Sequence, residues 1–271
     1  MTAMTILDVE VDGGTLFAEV AGSGLALVLI HPGLWDRRAW DDQFGVFAKE
    51  YRVLRYDARG YGRSSRLEPG RPYSNVDDLS AIMDAVHIDR AAIVGCSMGG
   101  EITIDFALEH PERVSALVLV APGLGGFEGT PEDDAWWEER QGPIDAAIEA
   151  GDLERAEDLR LEIWASLGTR DEAGRRIRQI AFDNIHEMTM DESGAVELDP
   201  PAIERLEELS VPTLIMPADH DPPFMRRVCD VLTQRIPNAR RIDIPETDHV
   251  IAMRRPVEFN AAVLAFLGEV G

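Results

Sequence analysis

A chain of 271 residues with 45% hydrophobic content and a formal charge of −24 at pH 7 can bury one sizeable core and still carry an inserted subdomain. That much negative charge repels phosphate backbones and anionic lipid headgroups, so no nucleic acid and no membrane is expected among its partners. Residues 1–20 carry Asp8, Glu10 and Asp12 where a secretory leader has a basic segment, and no apolar run approaches the length of a membrane span, which reads as a cytoplasmic chain.

Taken in order, residues 9–17 alternate as a hairpin turned at Asp12-Gly13-Gly14 and are predicted at the edge of a sheet. Residues 26–30 form a buried strand that stops at His31-Pro32-Gly33-Leu34. Residues 52–56 form a second strand, which runs into Asp57-Ala58-Arg59-Gly60-Tyr61-Gly62-Arg63-Ser64. A helix over 76–86 leads to an apolar run at 91–94, followed by Gly95-Cys96-Ser97-Met98-Gly99-Gly100 and a helix continuing over 102–110 to Pro111. Residues 114–120 are a further buried strand, and Gly123-Leu124-Gly125-Gly126 marks a boundary. Thr130-Pro131 begins a helix with a capping threonine and proline in the first turn. Leu153, Ala156, Leu159, Ile163 and Trp164 then share one helical face. The helical insertion ends near Asp199-Pro200-Pro201, and strands over 211–216 and 240–244 complete a sheet in which strands alternate with helices, as a parallel sheet requires.

Charge is unevenly placed. Residues 124–208 hold 24 acidic and 8 basic side chains, so the acidity belongs mostly to the insertion, where charged helix faces are ordinarily just solvated. Lys49 is the only lysine. Cys96 and Cys229 show no pairing pattern, which fits a reducing compartment.

The chemistry gathers at strand ends. In G-x-S-x-G the glycines let strand and helix backbones pass closely while the serine occupies a strained turn and is held out as a nucleophile. A serine hydroxyl is a weak nucleophile near neutral pH. It needs an imidazole to take its proton, and the imidazole needs a carboxylate to fix its tautomer. Downstream of Ser97 the strand over 211–216 delivers Asp219-His220-Asp221, and the strand over 240–244 delivers Asp248-His249. Both Asp219 and Asp221 are candidates for the carboxylate. His87 and His110 fall at helix ends and read as structural, as does His31 in its turn; His186 lies in the insertion.

The His-Pro-Gly turn, the D-x-R-G-x-G-x-S loop, the Gly-Cys-Ser-Met-Gly elbow and the Ser, Asp, His order resemble the α/β-hydrolase superfamily over nearly the whole chain outside the insertion. The resemblance implies an α/β fold with a mostly parallel eight-stranded sheet flanked by helices. Residues 1–123 and 200–271 would form the core domain and 124–199 a helical lid. It implies Ser97 as nucleophile, His249 as base then acid, and Asp221, immediately before Pro222, as the orienting acid in preference to Asp219. Oxyanion donors would be the N–H of Met98 and that of Gly33 or Leu34, since Pro32 has none. Asp248 departs from the glycine usual before the histidine, and its carboxylate would raise the imidazole pKa if it points inward. Asp57, Arg59 and Ser64 would stabilise the region behind the nucleophile, and Cys96 would line the pocket wall. The candidate substrate pocket comprises His31, Leu34, Trp35, Trp136, Trp137, Trp164 and Met188. Neither a metal nor an organic cofactor is implied, and the partner is a small-molecule substrate. The activity implied is hydrolysis of a carboxylic ester or lactone of a small, largely apolar substrate through an acyl-enzyme. Carbon–carbon bond hydrolysis of ring-cleavage products, cofactor-free haloperoxidase or perhydrolase chemistry, and small-molecule binding without turnover are the alternatives.

Overall fold

Apolar runs bounded by turn residues become the strands of an eight-stranded sheet in the computed structural model, which describes residues 4–270. In chain order the elements are β1 (Thr5–Val11), β2 (Gly14–Gly22), β3 (Ala26–Ile30), α1 (Asp41–Phe47), β4 (Arg52–Tyr56), α2 (Asn75–Ala85), β5 (Ala91–Cys96), α3 (Met98–Glu109) and β6 (Val114–Val120). They continue with α4 (Pro131–Glu149), α5 (Leu153–Trp164), α6 (Glu172–Asp183), β7 (Thr213–Met216), α7 (Pro223–Arg235), β8 (Ala239–Arg241), α8 (Ile251–Arg254) and α9 (Pro256–Val270). Strand order across the sheet is β1-β2-β4-β3-β5-β6-β7-β8. The hairpin β1/β2 and the β2/β4 pair are antiparallel, and every later pair is parallel. Gly13, at φ +76, makes the hairpin turn.

This is the α/β-hydrolase fold, and its order reverses around β3, so the carboxyl ends of β3 and β5 open a crevice where ligands settle in such sheets. Two apolar clusters, one on each face of the sheet, form the core. A third joins Leu34 and Trp35 after β3 to Leu161 of α5 and Ile177 of α6, so the helices between β6 and β7 pack over the carboxyl end of the sheet. The capping reading of Thr130 holds in full: its side chain accepts from the Asp133 N–H while Asp133 accepts from the Thr130 N–H. No helix among the described residues is long and apolar enough to cross a membrane.

Element boundaries differ from the sequence reading by a few residues, most at the last strand and at α3. The last strand ends at Arg241, because its partner β7 has only four residues and pairing closes with the Ile242 N–H on the Ile215 carbonyl. Helix α3 begins at Met98, so Gly99 and Gly100 lie inside its first turn. Space explains them: a Cβ on Gly99 would lie 2.3 Å from the Ile30 carbonyl oxygen, and one on Gly95 would lie 2.1 Å from the Gly99 carbonyl oxygen. Gly95→Ala is therefore expected to force β5 and α3 apart and to cost about 1–3 kcal/mol or more. A lowered urea midpoint with unchanged slope checks this.

Candidate active site

Ser97 sits between β5 and α3 at φ +53, ψ −117, a conformation that L residues rarely hold. Backbone hydrogen bonds fix it from both sides. Its N–H donates to the Val120 carbonyl at 3.0 Å, and its carbonyl accepts from Gly100, Glu101 and Gly123. Strain of this kind, on the order of 1–3 kcal/mol, persists where the surroundings over-determine it. Met98 N–H, the first of α3, has no acceptor within the helix. The N–H groups of Gly33 and Leu34 are likewise not used in the hydrogen bonds of their own turn, and Leu34 holds φ +67.

The loop after β8 brings His249 to the same crevice, where it is 2% exposed. Its Nδ1 lies 2.9 and 3.1 Å from the two carboxylate oxygens of Asp221. An ionised carboxylate only accepts, so Nδ1 carries the proton and Nε2 is left as a base. Trp164 of α5 packs on the imidazole with ring centroids 4.5 Å apart.

Asp219 does something else. Its two oxygens accept the N–H groups of Glu246 and Thr247, each at 2.8 Å, and so pin the loop that carries His249. Slight burial would raise its pKa, but these backbone donors prevail and hold it below the ordinary aspartate value. Asp248 does not point at the imidazole. It is fully buried against Arg254, with Nε 3.0 Å from both oxygens and Nη2 at 2.7 Å, and it accepts the Leu167 N–H at 3.1 Å. The same guanidinium donates to the Gly168 carbonyl, so this ion pair ties the loop after α5 to the segment following the histidine.

A cavity of about 360 Å³ opens over these groups. Ser97 and His249 both line it, together with Gly33, Leu34, Trp35, Trp137, Trp164 and Met188 of the sequence reading. His31 and Trp136 do not. His31 is wholly buried, its Nδ1 donating to the Pro32 carbonyl and its Nε2 accepting the Ala58 N–H, and burial holds its pKa below the usual imidazole value. It braces the turn that presents Gly33. Trp136 stacks on Trp137 and lies under the Arg140 guanidinium, outside the cavity. Cys96 also misses the wall, because its thiol turns into the core and reaches the His249 carbonyl at 3.6 Å. In the loop after β4, Asp57 accepts from the backbone and side chain of Arg37 and the N–H of Arg63, Arg59 makes a two-pronged bond to Asp78, and the Ser64 hydroxyl donates to the Asp57 carbonyl.

Sequence reasoning missed Gln141, Ile144, Ile148, Arg160, Glu187 and Glu192 on the cavity wall. Part of this was available: Gln141, Ile144 and Ile148 recur at helical spacing on α4, and Arg160 interrupts the apolar stripe of Ala156, Ile163 and Trp164 on α5. A second cavity, of about 260 Å³, lies beside the first and contains the Met98 side chain with Glu101, Asp105 and Glu197. Burial, then repulsion from Glu101, Glu109 and Glu197, pushes Asp105 up to about 7. An acid whose pKa rises on folding takes up protons in the native state, so stability falls as pH climbs from near 4 through 7. Asp105→Asn is expected to raise Tm at pH 8 and to leave it nearly unchanged at pH 4, as thermal melts at the two pH values will read. Among the described residues no group of three His, Cys, Asp or Glu side chains is disposed to hold a metal ion.

Comparison with known proteins matches residues 26–256 to the family described as alpha/beta hydrolase fold. A protein of Caulobacter sp. (strain K31) bearing the name carbamate hydrolase RutD is 30% identical over 265 residues, covering 95% of this chain and 96% of its own. The 2-hydroxy-6-oxo-6-phenylhexa-2,4-dienoate hydrolase of Burkholderia cepacia is 38% identical over 109 residues, 38% of each chain. Among solved structures, Est816, titled an N-acyl homoserine lactone degrading enzyme, superposes with a TM-score of 0.71 at 27% identity, over 96% of this chain and all of the other.

Proposed function

Because the chain belongs to the α/β-hydrolase fold family, we propose that it is a serine hydrolase that cleaves a carboxylic ester or lactone of a small, largely apolar substrate through an acyl-enzyme. One observation carries the reading: Ser97 and His249 open on a single cavity while Asp221 holds the far nitrogen of the imidazole. In this mechanism Ser97 Oγ attacks the carbonyl carbon and its proton passes to His249 Nε2. The negative charge that develops on the carbonyl oxygen meets the N–H of Met98 and that of Gly33 or Leu34, and loss of one such donor typically costs about 2.7–4 kcal/mol. Collapse of the tetrahedral species expels the alcohol, which takes the proton from His249. Water then repeats the sequence on the acyl-enzyme and frees the acid.

Residues 124–199, with helices α4 to α6, act as a lid over the site, with Ile144, Ile148, Trp137 and Trp164 as the apolar wall against the acyl and alcohol groups. The lactone-degrading relative supports a neutral acyl compound as substrate. The dienoate hydrolase relative supports a second reading, carbon–carbon cleavage of a vinylogous diketone by the same three residues. A fluorophosphonate probe tests the nucleophile: covalent labelling of wild type and none of Ser97→Ala is expected. Folded wild-type protein that takes no label would overturn the reading in favour of a binding protein. Parallel rates on p-nitrophenyl esters, lactones and vinylogous diketones separate the two chemistries.

A further inference from the structure

On the wall of the catalytic cavity, Arg160, Glu187 and Glu192 face the same space as Ser97. Only one nitrogen of the guanidinium is engaged. Nη1 bonds Glu187 and lies 3.3 Å from Glu157, whereas Nε and Nη2 have no partner among the described residues. Glu192 makes no ion pair or side-chain hydrogen bond among them either. Beside this group stands Tyr61, 5% exposed, which lines the adjoining second cavity and whose hydroxyl enters no hydrogen bond among the described residues. That hydroxyl lies 3.6 Å from where a Cβ on Gly33 of the first cavity would be, and Glu192 lines both cavities.

We propose that Tyr61, Arg160 and Glu192 form a polar subsite for an uncharged amide carried by the acyl part of the substrate, and that this subsite rejects a carboxylate. The proposal rests on the hydrolase reading above. Donors and acceptor are both present, as an amide requires: Tyr61 O–H and the free Arg160 N–H groups donate to its carbonyl, and Glu192 accepts its N–H. A carboxylate would satisfy the donors but would meet Glu187 and Glu192 against a single guanidinium, and like charges at such range cost more than the remaining donors return. An ammonium group would satisfy Glu192, leave the Tyr61 hydroxyl unpaired and face Arg160. Burial raises Glu157, behind Arg160, to about 7, so this carboxylate adds only part of a further negative charge.

Three p-nitrophenyl esters of similar length test the idea: 4-acetamidobutyrate, hexanoate and the monoester of glutarate. Wild type is expected to favour the acetamido ester over the hexanoate in kcat/KM, and to disfavour the glutarate monoester by roughly tenfold or more. Tyr61→Phe should shrink the acetamido-to-hexanoate ratio by about fivefold to tenfold without lowering Tm, because the hydroxyl supports nothing inside the protein. Glu192→Gln should raise the glutarate-to-hexanoate ratio. A glutarate monoester cleaved as well as the acetamido ester, or a Tyr61→Phe variant that lowers all three rates equally or loses stability, would overturn the subsite. Absence of turnover on every ester would instead count against the hydrolase reading. The subsite is then still tested in Ser97→Ala by thermal shift, where N-butylacetamide should stabilise the protein and glutarate should not; the reverse order overturns it.

Discussion

Replacing Ser97 with alanine is expected to lower ester hydrolysis by about 10⁴-fold or more while leaving the fold intact. The size follows from what remains. An oxyanion pocket and a bound substrate still assist attack by water, but no covalent path exists and His249 has no hydroxyl to deprotonate. Stability should hold for a separate reason. The bonds that fix the elbow run through the backbone of residue 97 to Val120, Gly100, Glu101 and Gly123, and none uses its side chain. Alanine also carries the same Cβ at φ +53, so the backbone strain is unchanged. Coincident denaturation curves with residual kcat near the uncatalysed level would meet the expectation. Retained activity would show that another group attacks.

How much of this site could be read in the chain depends on how local each cause is. The elbow is legible because its glycines answer a steric demand made within a few residues: Gly95 and Gly99 face each other across the strand-to-helix crossing. Its position over the sheet is legible too, since the runs at β3, β5 and β6 are buried on both faces and read as unbroken apolar segments. The imidazole and its carboxylate partner come from loops whose spacing in sequence, 28 residues, contains no geometric information. Only the resemblance chose between Asp219 and Asp221.

The polar wall of the cavity was hidden for a different reason. Arg160, Glu187 and Glu192 lie among the acidic surface residues of the insertion, and composition treats all such charges as solvated. What sets them apart is tertiary: the packing of α5 against α4, α6 and the turn after β3 turns one face of that helix away from water, so a charge at Arg160 is carried on the cavity wall with Glu157 and Glu187 as its counter-ions. Asp248 illustrates the converse. Beside His249 in sequence it invites an electrostatic role at the imidazole, yet the carboxylate ends on Arg254.

The two aspartates before Pro222 should part company under substitution. Asp221→Asn is expected to reduce kcat by about 10⁴-fold with little loss of stability, because a carboxamide offers Nδ1 a donor or an acceptor and tolerates the tautomer with the proton on Nε2, which cannot take the proton of Ser97. Asp219→Asn should behave in the opposite way. Its oxygens receive the Glu246 and Thr247 N–H groups, and an amide can satisfy only one of them as an acceptor, so a cost of about 1–3 kcal/mol in stability is expected, with a far smaller fall in kcat. Loosening that loop moves His249 relative to Ser97 and should appear as a loss in kcat that grows with temperature, in step with partial unfolding of the loop. Paired measurement of kcat and of the urea midpoint for both variants distinguishes the roles. A large kcat deficit in Asp219→Asn beside near-normal turnover in Asp221→Asn would exchange them, and the 2.9 Å contact between Asp221 and the imidazole would then be structural.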